Sequence, residues 1–157
     1  MKLYLIGSLR NEGVLSLGEH LRKETDWDIF DDWYAAGPEA DDYWQKYELN
    51  RGRSYGQALQ GHAATHVFEF DKHHLDTCDA ALLVLPAGRS GHLELGYCVG
   101  LGKPGFILLD QDYMEEGRFD VMYRFADAVL TDKEQVIEEL ETITRLRGDT
   151  TAMSLRG

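Results

Sequence analysis

Cysteine is scarce. The 157 residues hold only Cys78 and Cys98, and the two form no CxxC pair. A disulfide framework is therefore excluded as the organising device, and both are read as packed thiols. Basic residues are also few: 16 Lys and Arg stand against 28 Asp and Glu, a formal charge of −12. Binding a long nucleic-acid polymer draws on many cations, so no such partner is expected. One small anion held by a local arginine or two is compatible with the balance. No apolar run approaches the roughly 20 residues of a membrane helix, so no membrane association is expected. The opening MKLYLIGSLR carries one early lysine and an apolar run too short for a signal peptide; it reads as a buried strand, and a cytoplasmic protein is expected. Repeats and low-complexity stretches are missing as well. His62 and His66 fall on one helical face, but no third ligand of suitable geometry accompanies them, and no metal is expected.

What is present suits one ordinary domain. The hydrophobic fraction is 43%, enough for a real core. Leu3–Gly7, Ala80–Pro86 and Gly105–Leu109 are continuous apolar runs, which indicate strands covered on both faces, as in a parallel α/β sheet. Weaker strands are expected at Trp27–Phe30 and Ala128–Leu130. Helical patterns lie between them: Val14–Glu24, Asp41–Leu49, His66–Asp79 and Leu93–Gly102, the last stopped by Gly102-Lys103-Pro104. A final helix is expected from the Thr131-Asp132 cap, with Val136, Ile137, Leu140 and Ile143 at helical spacing. The fold class is α/β, a doubly wound, flavodoxin-like or Rossmann-like parallel sheet of about five strands. Residues 1–147 form the domain; residues 148–157 are expected to be a loose tail or one docked on a neighbouring subunit.

In such sheets a ligand sits outside the carboxyl ends of the strands, at the topological switch point. Three polar segments converge there: Gly7-Ser8-Leu9-Arg10-Asn11, Pro86–Glu94, and the Asp-Gln-Asp-Tyr that starts at Asp110. The second is the most telling. Gly88, Gly91 and Gly96 follow a buried strand closely, and Arg89 and Ser90 lie between the first two. Glu94 is expected in the first turn of the helix that follows. There it either complements the helix dipole or faces the ligand mouth. Tyr4 interrupts the first apolar strand, and Asp71 lies just ahead of the central one. Alone, each of these has an ordinary reading: a core tyrosine and a solvated acid.

Together, three segments resemble the nucleoside 2-deoxyribosyltransferase family, which includes the 2′-deoxynucleoside 5′-monophosphate N-hydrolases. They are YxxGSLR from Tyr4, DxxxLDxCDAxLLVLP from Asp71, and GHLELGYxxGLGKP from Gly91. The likeness spans Tyr4 to about Leu109. It implies cleavage of the N-glycosidic bond of a nucleoside or its 5′-monophosphate, without a cofactor. It further implies Glu94 as nucleophile at the anomeric carbon, Tyr4 as the group that orients it, and Asp71 as proton donor to the leaving base. Such chemistry is reasonable physically. A carboxylate stabilises or traps an oxocarbenium-like sugar, and a base leaves more readily when protonated.

Departures matter too. The transferases usually carry an aspartate six residues before the glutamate, and here that position is Gly88. Ser90 lies closer to the glutamate than the phosphate-contacting serine of the N-hydrolases, with Arg89 beside it. Ser8, Arg10, Arg89 and Ser90 are expected to form a phosphate cradle, with Gly7, Gly88 and Gly91 allowing close backbone approach. Asp31 and Asp32 would reach a sugar hydroxyl, and Met122 and Tyr123 would line the mouth. Trp33, Tyr34, Tyr43, Trp44 and Tyr47 offer stacking, packing or oligomer contacts, and a homodimer or larger assembly is expected from the resemblance. Hydrolysis versus transfer, ribose versus deoxyribose, and free nucleoside versus monophosphate stay open. Two other readings are kept: a nucleotide-binding module without turnover, and an electron carrier resting on the fold alone.

Overall fold

A computed structural model describes residues 1–110 and 120–154. Its centre is a five-stranded parallel sheet in the order β2-β1-β3-β4-β5. The strands are β1 (Lys2–Ile6), β2 (Asp28–Phe30), β3 (Ala80–Val84), β4 (Gly105–Leu108) and β5 (Ala128–Leu130). Register is set by Tyr4 opposite Phe30 and Ala81, and by Leu83 opposite Ile107. The helices are α1 (Glu12–Glu24), α2 (Ala40–Asn50), α3 (Tyr55–Leu59), α4 (His62–Thr77), α5 (Arg89–Gly100) and α6 (Val136–Ser154). Short 3-10 segments occupy Asp32–Ala36, Val121–Phe125 and Lys133–Gln135. The doubly wound α/β reading therefore holds, with the switch point between β1 and β3.

Successive residues of a strand face opposite ways, and this sheet sorts them into two cores. Leu3, Leu5, Leu82, Val84, Phe106 and Leu108 pack against Val14, Leu17 and Leu21 of α1 and against Val136 and Leu140 of α6. Tyr4, Ile6, Ala81, Leu83 and Ile107 point the other way, onto Leu75 of α4 and Leu95 and Cys98 of α5. Each leucine or isoleucine so enclosed contributes about 1.5–3 kcal/mol. Burial on both faces is why these strands read as unbroken apolar runs.

Local chemistry starts and stops the helices. Asn11 caps α1, its side chain accepting from the Gly13 amide at 2.9 Å, while Arg22 and Lys23 close the last turn. Ser54 and Gln57 form a reciprocal capping box that opens α3, an element the hydrophobic pattern does not announce. Asp132 caps the short 3-10 turn ahead of α6 by accepting from the Glu134 amide at 2.9 Å.

Two boundary expectations are corrected. The last helix does not end near Arg147 but runs on through Ser154. Gly148 alone costs a helix only about 1 kcal/mol, and no proline follows to stop it. The helix after β3 opens at Arg89 rather than at Leu93. Gly91, which looks like part of a loop, is the point where this helix rests on the sheet: a Cβ there would stand 3.1 Å from both Ile6 Cγ2 and Leu83 Cδ1. Of the expected Asp-Gln-Asp-Tyr mouth segment, residues 111–113 lie outside the described residues, as do tail residues 155–157. No helix among the described residues is long and apolar enough to cross a membrane.

Candidate active site

The loops after β1 and β3 meet at the switch point. Asn11 joins them, its Nδ2 donating to the carbonyls of Val84 at 3.3 Å and Pro86 at 3.2 Å. Trp33 Nε1 donates to Leu5 O at 2.8 Å and brings the segment after β2 alongside. Gly7 is required by packing, since a Cβ there would fall 2.5 Å from Val14 Cγ2. Ser8 Oγ accepts from the Arg10 amide at 3.2 Å, and the Arg10 guanidinium reaches Asp42 of α2 at 2.9 Å.

Gly88 is the N-cap of α5, and a Cβ on it would meet open space. Arg89 and Ser90 are exposed in the first turn; Gly91 is buried against the sheet. No side chain caps this helix, so its leading amides are left for solvent or a ligand. His92 Nδ1 and Gly88 O are 2.8 Å apart, and His92 Nε2 lies 3.0 Å from the Tyr123 hydroxyl. A proton on Nδ1 would bond the carbonyl and leave Nε2 to accept from the phenol. This contact brings the Val121–Phe125 segment to the start of α5. Met122 is exposed there, its amide bonded to Asp120 Oδ1 at 2.8 Å.

Glu94 stands in the second turn of α5, not the first, so the simple dipole reading loses its basis: that effect fades beyond the first turn. It is half-buried, and burial followed by the charge of Asp71 raises its pKa from 4.5 to about 7. Asp71 comes from the neighbouring helix, α4. Burial raises its pKa from 3.8 to about 6, and its Oδ1 is enclosed without a hydrogen-bond partner. Tyr4 lies beneath on β1, its ring 4.9 Å from that of Phe30. Burial lifts its phenol above the ordinary value, and the charges of Glu94 and then Asp71 push the same way. The structure thus brings Tyr4, Asp71 and Glu94 into one neighbourhood between α4, α5 and the sheet.

Asp31 does not fit the expected sugar-binding role. Its carboxylate is buried and held by both terminal nitrogens of Arg22, with Nη1 at 3.0 Å from Oδ2 and Nη2 on Oδ1. Gly18 leaves room for this pair, because a Cβ would fall 2.2 Å from Asp31 Oδ2. Asp32 begins the adjacent 3-10 segment. Among the described residues, no group of three or more His, Cys, Asp or Glu side chains is arranged to hold a metal ion.

Sequence reading places Asn11 in a mouth segment without the bonds it makes, and gives no role to His92, Asp76 or Tyr97. Asn11 was visible as a cap immediately before a helical pattern. The other three act through partners on different elements, which no spacing rule reveals. Comparison with known proteins adds no assignment: no protein-family model and no curated protein matches the chain.

Proposed function

We propose that this chain cleaves the N-glycosidic bond of a nucleoside or deoxynucleoside, or of its 5′-monophosphate. The sugar passes through a glutamyl intermediate to water or to another base. The observation that carries the reading is the pair of half-buried acids, Glu94 and Asp71, which come from separate helices to one neighbourhood above Tyr4. Burial raises the two carboxyls to about 7 and about 6, toward the range where one is ionised while the other keeps its proton. That is the state a one-nucleophile, one-acid mechanism needs. A sugar developing positive charge beside Glu94 favours its ionised form, and the proton is then best kept on Asp71.

In this reading Glu94 attacks the anomeric carbon as the bond to the base breaks. Asp71 gives its proton to a ring atom of the departing base and then takes one from the incoming water. When a second base is the acceptor, its ring nitrogen attacks the same carbon. Tyr4 orients the glutamate. Arg89, Ser90 and the open amides of α5 receive a 5′-phosphate where one is present, as anions favour a helix start. Arg10 joins them by exchanging its exposed partner Asp42 for the ligand. The exposed Tyr43, Tyr47 and Leu49 of α2 and Val67 and Phe68 of α4 supply an apolar surface for a second copy of the chain. Light scattering after size exclusion measures that state, and a monomer at all concentrations refutes it.

Base release followed by chromatography, over a panel of nucleosides and their monophosphates, tests the activity. Glu94→Ala is expected to lower release at least about a thousand-fold. Full activity in that variant overturns the assignment. Adding a second free base separates transfer from hydrolysis. Gly88, with no side chain where the transferases carry an aspartate, favours a second reading: a nucleotide-binding module without turnover. A thermal shift with a monophosphate, and no base released on long incubation, would select it.

A further inference from the structure

The two acids repel when both are ionised, and they sit on two different helices, so something must hold those helices together. Beyond their common packing on the sheet and the Lys103 ammonium that donates to the carbonyls of Leu75, Asp76 and Cys78, one side-chain bridge joins the two helices further along the same seam. The Tyr97 hydroxyl of α5 donates to Asp76 Oδ1 of α4 at 2.6 Å. Lys72 Nζ donates to Asp76 Oδ2 at 2.6 Å and lies 5.2 Å from the centre of the Tyr97 ring. Nearby, Cys78 and Cys98 are both buried in the same core, the Cys78 thiol donating to Leu75 O at 3.2 Å. Glu94, Tyr97 and Cys98 share one stripe of α5 by their spacing of three and four residues. Asp71, Leu75 and Cys78 do the same along α4 and its C-cap.

We infer that the Tyr97–Asp76 bridge, backed by Lys72, is a positioning device: it ties α4 to α5 and so sets the separation and the dryness of the Asp71–Glu94 pair. The inference rests on the reading of those two acids as the reacting groups. Tyr97 and Asp76 touch no substrate in it. The tie is durable across neutral pH, because hydrogen bonds from Lys72 and Tyr97 hold the Asp76 carboxyl below its ordinary pKa and keep it charged. Removing the Tyr97 hydroxyl leaves the ring in the seam but frees the helices to part, admitting water to both acids.

The test is an NMR titration of side-chain carboxyl carbons in the labelled full chain, wild type against Tyr97→Phe. Wild-type midpoints are expected near 6 for Asp71 and near 7 for Glu94. In the variant both should fall by at least about half a pH unit, as hydrated carboxyls do. The pH optimum of base release should move with them, with kcat falling several-fold and KM little changed. Asp76→Ala, which removes the acceptor, carries the same expectation and serves if Tyr97→Phe does not fold; Asp76→Glu should retain the wild-type midpoints. Unchanged midpoints in a folded variant overturn the inference. Shifted midpoints in a protein that releases no base sustain the strap and dismiss the glycosidase reading. Unchanged midpoints in an active enzyme do the reverse.

Discussion

Glu94→Gln is expected to make the protein more stable in mildly alkaline solution and to leave it unchanged in acid. The Glu94 carboxyl is raised from 4.5 to about 7 by burial and by Asp71. The folded chain therefore holds that proton more tightly than the unfolded chain. Stability is highest below the unfolded value, falls as pH climbs from about 4.5 to about 7, and is flat above it. The separation corresponds to a cost of about 3 kcal/mol for keeping the ionised group in place. Glutamine has nearly the same shape and never ionises. The variant should gain about 1–3 kcal/mol at pH about 8.5, after allowance for relaxation and water entry, and about nothing at pH about 4.5. Urea unfolding at both pH values gives the two differences directly. In heat, each kcal/mol should appear as roughly 2–4 °C for a chain of this length. An equal effect at both pH values, or a less stable variant in alkali, would refute the argument that Glu94 sits in a dry, acid-flanked setting. Under the proposed reading the asymmetry belongs to function as well: an acid held where it is uncomfortable is a stability cost set against activity.

Two further perturbations test the frame around the site. Gly7→Ala puts a methyl 2.5 Å from Val14 Cγ2, on a rigid and fully enclosed valine; a loss of about 1–3 kcal/mol in urea unfolding is expected, and a neutral result would mean that α1 sits further from β1. Arg22→Met strands the buried Asp31 carboxylate, and urea unfolding should show a loss of about 2–4 kcal/mol. An unchanged stability would show that the pair contributes nothing.

Much of this molecule is legible in its sequence, for identifiable reasons. Ala80–Val84 and Gly105–Leu108 sit in the middle of the sheet, and having both faces buried leaves an unbroken apolar signature. Glu94 stands out as an acid in a mostly apolar helix, whereas Asp71 alone reads as a solvated acid and is singled out by the resemblance. What escaped depended on distance. The five-residue α3 is too short for a period, although its Ser54 and Gln57 cap was in plain view. Gly91 suggested a loop where the chain was already helical, which moved Glu94 by a turn. Asp31 resembled a free acid at a strand end because Arg22, its partner, belongs to a different element. Asp76 and Tyr97, 21 positions apart, meet only because two helices lie side by side.

The two-sided core has a consequence for how this chain tolerates change. Tyr4, Asp71, Glu94 and Tyr97 all belong to one side of the sheet, while the leucines and valines that meet α1 and α6 belong to the other. The far side is thus a reserve: substitutions that tighten it can offset an awkward pair of acids without touching them. Drift in sequence should accumulate there as compensated swaps of similar volume, and a designer seeking robustness without loss of chemistry would begin at Leu17, Val136 and Leu140.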